Sequence, residues 1–195
     1  LPIGIKDLEA TAGIRTTLGS LLYEQHIPKN DQGSVANIRA SGGIILAKTN
    51  TPEFGAGANT RNLVFGVTGN PFNPNQTCGG SSGGSAVALA TGMVPLASGS
   101  DYGGSLRTPA GFCGVVGIRP SPGVVAAESR PVGLLPFSVL GPMGRTVEDA
   151  YLLLNAQAGP NPRDPFSTHQ RPGLPLPLQT ADLGSLRAMI TPDLG

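Results

Sequence analysis

The chain has 195 residues, contains no tryptophan, and carries only two cysteines, two histidines and 5% aromatic residues. Two cysteines, Cys78 and Cys113, are too few for a disulfide framework, and we expect both to be packing residues. The net charge is +1 without a cluster of lysine or arginine, which argues against nucleic acid as a partner. No run reaches the ~18 apolar residues of a membrane span. We therefore expect a soluble, cytoplasmic protein with neither nucleic acid nor membrane as partner.

The shortage of histidine limits the catalytic chemistry. Residues 80–84 match the Gly-x-Ser-x-Gly pattern of a nucleophile elbow, which in serine hydrolases works with a histidine base. The two histidines are His26 and His169, and His169 lies in a proline-rich stretch. The sequence therefore offers few histidines that could act as the base of a Ser-His-Asp triad, and a serine nucleophile would need another base.

Glycine and proline, by contrast, make up about a quarter of the chain, with 29 and 19 residues. That content approaches the level of low-complexity sequence. The glycines, however, stand beside patterned apolar segments. We expect them to form tight turns and to let the backbone approach a ligand.

Apolar runs alternate with helical patterns, which favours an α/β fold with a sheet covered on both faces. A helix capped by Ser34 and ending at 41–43 precedes a short buried strand at 44–47. The other predicted elements are a helix at 86–91, a strand at 94–97, a capping box at Thr146 that begins a helix over 150–156, and a strand at 186–190.

Two segments are dense in glycine and serine. Residues 79–85 read Gly-Gly-Ser-Ser-Gly-Gly-Ser, and residues 99–107 read Gly-Ser-Asp-Tyr-Gly-Gly-Ser-Leu-Arg, with a turn predicted over 99–104. Consecutive glycines can make successive N–H groups converge on an anion or a developing oxyanion. Flexible linkers or ordinary turns are the alternative. A phosphate loop is disfavoured, because no Gly-Lys-Ser/Thr follows either segment.

The order and spacing of several motifs resemble the amidase signature family. The motifs are Gly4-Ile5-Lys6-Asp7, residues 16–20, residues 47–54, Cys78 to Ser85, Gly99 to Arg107 and Phe112 to Gly117. Lys6 and Ser81 are 75 residues apart, and Ser81 and Ser105 are 24 apart. Each motif alone would be weak evidence for the family, whereas the order and spacing of the motifs over residues 1–149 are specific to it. Tyr102 and Cys78 depart from the residues common in this family.

The resemblance implies a Ser–cis-Ser–Lys triad, with Ser105 as nucleophile, Ser81 as bridging serine after a cis Gly80–Ser81 peptide, and Lys6 as base. The implied oxyanion hole consists of the backbone N–H groups of Tyr102, Gly103, Gly104 and Ser105. Asp101 and Arg107 would support that loop. The family fold implies a mixed, twisted central β-sheet flanked by helices, and the chemistry needs neither metal nor cofactor.

A lysine base imposes a physical requirement. Free lysine has a pKa near ~10.4 and is protonated at neutral pH, whereas burial can lower that pKa by up to ~3–5 units. We therefore predict that Lys6 is buried beside Ser81. Ser81 would relay the proton between Lys6 and Ser105.

The implied activity is amide hydrolysis through an acyl-enzyme, on non-peptide carbon–nitrogen bonds of a small-molecule amide. Linear amides are the expected class, and aliphatic, aryl, peptide-terminal and cyclic amides all fit the sequence. Two alternatives stay open: a glutamine-dependent amidotransferase subunit, or a catalytically silent fragment. We expect residues 1–195 to be the catalytic portion of a single domain truncated at both ends. Residues 157–184 would form a surface excursion, and uncovered sheet edges would favour a homodimer.

Overall fold

In a computed structural model, the described residues are 1–128, 134–167, 175–178, 182–189 and 191. In chain order the elements are β1 (Pro2–Lys6), α1 (Gly33–Ala40), β2 (Ile44–Thr49), β3 (Arg61–Asn62), β4 (Gly66–Val67), α2 (Gly83–Ala90), β5 (Leu96–Asp101), α3 (Arg107–Cys113), β6 (Val116–Gly117), β7 (Val139–Gly144) and α4 (Val147–Gln157). Short 3-10 helices span Leu21–Tyr23, Glu53–Gly55 and Leu183–Ser185.

Five strands form one mixed sheet in the order β2-β1-β5-β7-β6. Strand β1 pairs in parallel with β2 and β5, whereas β7 runs antiparallel to both β5 and β6. Strands β3 and β4 form a separate two-stranded antiparallel ribbon. The predicted α/β fold, a mixed sheet flanked by helices, is confirmed.

Helices cover both faces of the sheet. Successive side chains of a strand point to opposite faces, so each face has its own apolar side chains to bury. On one face, helices α1 and α4 bury a cluster that consists of Ile3, Ile5, Val35, Ile38, Leu96 and Leu153. On the other face, helices α2 and α3 bury a cluster that consists of Cys78, Ala86, Leu89, Val94, Ala97, Leu106, Ala110, Cys113 and Met143. The cysteines are free and buried, as predicted. In the described part of the chain no helix could cross a membrane.

The parallel pairing of β1 and β5 positions the site. The carboxyl ends of parallel strands meet at the same edge of a sheet, which is where ligands bind in open α/β sheets. Strand β1 ends at Lys6 and β5 ends at Asp101. The turn that begins α2 carries Ser81 and Ser82 to the same edge, where Lys6 Nζ contacts both.

Several predicted elements are confirmed. Helices at 83–90 and 147–157 contain most of the predicted spans, and the Thr146 Oγ1 accepts a hydrogen bond from the Asp149 N–H, as a capping residue does. Helix α1 also forms, but Ser34 does not cap it, since Gln32 occupies the cap position. The Ser34 hydroxyl instead donates to the Glu9 carboxylate.

Two strand predictions and one turn prediction are wrong in part. Strand β2 lies at the sheet edge, so Ile44 and Leu46 are 64% and 59% exposed and the strand is not buried. Residues 99–101 belong to β5, not to the following turn. Residues 186–189 form no strand, and residue 190 lies outside the described residues. The predicted excursion at 157–184 also falls partly outside them and stays a prediction.

Substitution of Leu153 by alanine tests the packing of α4 on the sheet. Leu153 is fully buried, and its removal should lower the free energy of unfolding by about 2–5 kcal/mol, because a cavity is left behind. Leu152, its neighbour, is 40% exposed and is the matched control. Urea unfolding of the purified protein measures both, and equal losses for Leu153→Ala and Leu152→Ala would contradict this packing.

Candidate active site

Lys6 is the last residue of β1, and its side chain is completely buried. Its Nζ donates hydrogen bonds to three serine hydroxyls: 2.7 Å to Ser81 Oγ, 2.8 Å to Ser82 Oγ and 2.8 Å to Ser100 Oγ. A lysine nitrogen has three protons to donate when charged, so these three oxygens match its full hydrogen-bonding capacity. The predicted burial of Lys6 beside Ser81 is confirmed.

Burial changes the protonation of Lys6. Loss of water around the amine lowers the pKa of Lys6 to about 7, although the negative charges of Glu9 and Asp101 raise it in part. Near neutral pH a large share of Lys6 is therefore uncharged. A neutral amine in hydrogen-bond contact with a hydroxyl can accept its proton.

Ser81 stands in the glycine-rich turn before α2, and the Gly80–Ser81 peptide bond is cis, as the resemblance implied. The turn packs tightly on neighbouring backbone. A Cβ on Gly80 would lie 2.9 Å from the carbonyl carbon of Ala58 and 3.0 Å from the nitrogen of Asn59. Only glycine fits there without displacing the backbone. The buried Ser81 hydroxyl contacts Lys6 Nζ.

Ser105 is half-buried in the turn between β5 and α3. Its carbonyl accepts a hydrogen bond of 3.2 Å from the Ser82 N–H, which ties the two glycine-rich turns together. Ser105 and Ser81 line the same cleft. The structure thus brings the three predicted triad residues to one edge of the sheet.

The Asp101 carboxylate holds the Ser105 turn in place. It accepts hydrogen bonds of 2.8 Å from the Gly104 N–H and 3.0 Å from the Leu106 N–H, and two of 3.0 Å from the Arg107 guanidinium. Arg119 adds a contact of 3.0 Å. Burial alone would raise the pKa of Asp101, but the hydrogen bonds from Arg107, Leu106 and Gly104 bring that pKa well below its usual range.

One of the predicted oxyanion donors takes part in this network. The Gly104 N–H donates to the Asp101 carboxylate at 2.8 Å. The other three predicted donors are the N–H groups of Tyr102, Gly103 and Ser105. Tyr102 and Gly103 are exposed at the cleft.

The cleft has a volume of about 700 Å³, within the usual range for small-molecule sites. Many of the side chains that line it are apolar or aromatic: Leu8, Leu18, Phe54, Ala56, Ala58, Tyr102, Ala127 and Leu140. The Tyr102 ring packs against Phe137 with ring centres 5.7 Å apart. Among the described residues that line the cleft, Glu9 is the one that carries a charged side chain, and it is only 1% exposed.

Sequence reasoning missed four residues that lie around the predicted triad residues: Glu9, Ser82, Ser100 and Arg119. A signal for Ser100 existed, because Ser98 and Ser100 alternate along β5 and both contact Lys6. Reading residues 99–101 as a turn concealed that alternation. Glu9 and Arg119 carry no such local pattern, and their contacts come from residues distant in the chain.

Comparison with known proteins agrees with this geometry. The family model described as Amidase matches residues 1–184. A glutamyl-tRNA(Gln) amidotransferase subunit from Thermus thermophilus is 45% identical over 191 residues, which are 96% of this chain and 41% of that protein. The chain thus spans about two fifths of the length of this curated relative.

Solved structures show the same similarity. A bacterial aryl acylamidase of the amidase signature enzymes is 37% identical, with a TM-score of 0.81 over 88% of this chain and 36% of the other. The peptide amidase of Stenotrophomonas maltophilia is 34% identical, with a TM-score of 0.78 over 86% and 35%. The match over nearly the whole chain, in sequence and in fold, shows that the chain belongs to the amidase family and is similar to amidase signature enzymes.

Proposed function

We propose that this chain forms the catalytic core of an amidase that hydrolyses a carboxamide bond through an acyl-enzyme on Ser105. One observation carries the proposal. The fully buried Lys6 places its Nζ 2.7 Å from the Ser81 hydroxyl, in a cleft that also contains Ser105. A base with a lowered pKa, a bridging hydroxyl and a nucleophile are the parts that such a reaction requires.

In the first half of the reaction, neutral Lys6 accepts the Ser81 proton while Ser81 accepts the Ser105 proton. The Ser105 Oγ then forms a bond to the carbonyl carbon of the substrate. The carbonyl π electrons move to oxygen and give a tetrahedral oxyanion. Lys6 now carries the proton as an ammonium, which its three hydroxyl contacts hydrogen-bond.

The tetrahedral species collapses when its carbon–nitrogen bond breaks. The proton on Lys6 returns through Ser81 to the leaving nitrogen, which departs as ammonia or an amine. Water then attacks the acyl group on Ser105 with the same residues as base and acid. The products are a carboxylic acid and the regenerated Ser105 hydroxyl.

The backbone of the Ser105 turn would stabilise the oxyanion. The N–H groups of Tyr102, Gly103 and Ser105 are the available donors, each contributing roughly 2.7–4 kcal/mol. Asp101 keeps the turn in position through its contacts with Arg107 and Arg119. An oxyanion hole needs this rigidity, because its donors must be oriented before charge develops.

The cleft favours an uncharged amide with an apolar acyl or amine group. Its walls are largely hydrophobic, and Tyr102 presents an aromatic surface beside the Ser105 turn. Linear amides are the proposed class. The names of two structural neighbours, an aryl acylamidase and a peptide amidase, are compatible with such substrates.

A role within an amidotransferase complex is the second candidate. The observation that favours it is the 45% identity to the Thermus thermophilus protein, which is named as part of a glutamyl-tRNA(Gln) amidotransferase. In that case the same triad would release ammonia from glutamine for a partner protein. The largely apolar cleft favours the simple amidase, since glutamine carries a charged amino and a charged carboxylate group.

A panel of amides distinguishes the two functions. We expect the purified protein to release ammonia or amine from aryl and aliphatic amides without ATP, tRNA or a partner. Free glutamine is the comparison substrate and should be hydrolysed more slowly. Activity on glutamine alone, dependent on ATP and a partner protein, would favour the amidotransferase.

Substitution of Ser105 by alanine tests the nucleophile. Amide hydrolysis should fall at least ~10³-fold, because no acyl-enzyme can form. Covalent labelling by a fluorophosphonate probe should disappear as well. Ser121→Ala, at an exposed serine outside the cleft, is the matched control and should keep both the amide hydrolysis and the probe labelling. Undiminished labelling of Ser105→Ala, at another serine, would exclude Ser105 as the nucleophile.

The pH dependence of kcat/KM tests the lysine base. Because neutral Lys6 is the active form, kcat/KM should be constant above the pKa of about 7 and fall about tenfold per pH unit below it. Lys6→Met should remove most activity together with this acid limb. An acid limb that persists unchanged in Lys6→Met would assign the base to another group.

A further inference from the structure

Glu9 is a buried carboxyl group without a role in the reaction described so far. Its side chain is only 1% exposed, three residues after Lys6 in a turn closed by the Glu9 N–H and the Lys6 carbonyl at 2.9 Å. Burial of a carboxylate is costly unless it is hydrogen-bonded or paired. Both oxygens accept hydrogen bonds: Oε1 from the Ser98 hydroxyl and Oε2 from the Ser34 hydroxyl at 2.8 Å.

The Glu9 network connects directly to Lys6. The Ser98 hydroxyl that donates to Glu9 also accepts the Lys6 backbone N–H at 3.0 Å. From β2, the Lys48 ammonium donates to the backbone carbonyl of Glu9 and to Thr11 Oγ1. Residues from β1, α1, β2 and β5 thus form one hydrogen-bonded network around Glu9.

Four neighbours favour the ionised form of Glu9. Burial raises the pKa of Glu9 above its ordinary value, and the hydrogen bonds from Ser98 and Ser34 and the charges of Lys48 and Lys6 offset only part of that rise. Asp7, the other acid in this turn, is bound to the Thr17 hydroxyl and backbone and also lies near Lys48. Hydroxyl donors favour the carboxylate over the carboxylic acid.

Two carboxylates act on Lys6, and they differ in one respect. Asp101 contacts the guanidinium groups of Arg107 and Arg119, so its negative charge is offset locally. The Glu9 oxygens are bound by uncharged hydroxyls. Glu9, whose charge Lys48 offsets in part, has the larger of the two effects on the pKa of Lys6.

We propose that Glu9 is a positioning residue whose carboxylate stabilises Lys6 in the protonated state that forms during acylation. When the proton of Ser105 reaches Lys6 through Ser81, a buried positive charge appears on the residue that Ser98 links to the Glu9 carboxylate. The two charges are then present together only while Lys6 holds the proton. Glu9 thus acts through Lys6, as the acid of a triad acts through its base, without touching the substrate.

This inference rests on the proposed function, and its test uses the rate at which a fluorophosphonate labels Ser105 as a function of pH. In Glu9→Gln the acid limb should move to lower pH by roughly one unit, because loss of a nearby negative charge destabilises protonated Lys6. The labelling rate on the plateau above the limb should fall about threefold, since the less basic Lys6 is a weaker general base.

Three variants separate charge from packing. Glu9→Asp keeps the charge and should keep the wild-type acid limb. Glu148→Gln removes an exposed carboxylate at the start of α4 and should shift nothing. Ser34→Ala removes one hydroxyl donor to Glu9 and should move the limb in the same direction as Glu9→Gln but by less. If circular dichroism shows that Glu9→Gln does not fold, Ser34→Ala becomes the test variant.

The outcomes are distinct. An acid limb in folded Glu9→Gln that coincides with wild type would overturn the role of Glu9, and so would an unshifted limb in Ser34→Ala if Glu9→Gln does not fold. Lower stability without a shift would make Glu9 a packing residue. A wild-type protein that is not labelled at Ser105 would instead refute the proposed function itself.

Discussion

Burial removes the water around a lysine amine and so lowers the pKa of that amine. The Lys6 site replaces the lost water with hydrogen bonds. The amine is completely buried, and three serine hydroxyls replace its hydration. Ser81 and Ser82 come from the turn before α2, and Ser100 from β5, so three segments must meet at one point. The parallel pairing of β1 with β5 and the close packing of the glycine-rich turn make that meeting possible.

The fold was predictable where the sequence pattern is regular. Helices α2 and α4 follow apolar periodicity and, for α4, a capping threonine, and both form. Strands β1 and β7, which together flank β5, escaped prediction. Proline and glycine interrupt them, as in Gly141-Pro142 of β7, and such residues normally disfavour an interior strand. Pairing with neighbouring strands decides their conformation, and a local pattern does not contain that information.

The candidate site likewise contains residues that the sequence could predict and residues that it could not. Lys6, Ser81 and Ser105 could be selected from motif order and spacing, because each lies in a conspicuous run of residues. Glu9 and Arg119 could not, since their positions depend on tertiary contacts: Glu9 meets Ser98, 89 residues away, and Arg119 meets Asp101, 18 residues away. The order and spacing of the motifs, through the family resemblance, therefore indicated the groups proposed to react, and only the folded chain shows which charges surround them.

The central claim is that burial makes Lys6 a base near neutral pH, and the pKa of its amine is the most direct measurement. Nitrogen-15 NMR of lysine-labelled protein, with Lys6→Met to assign the signal, gives the titration of Nζ without a substrate. The account predicts a midpoint of about 7. A midpoint near the ~10.4 of a solvated lysine would contradict it, because Lys6 would then be charged at neutral pH and unable to accept a proton.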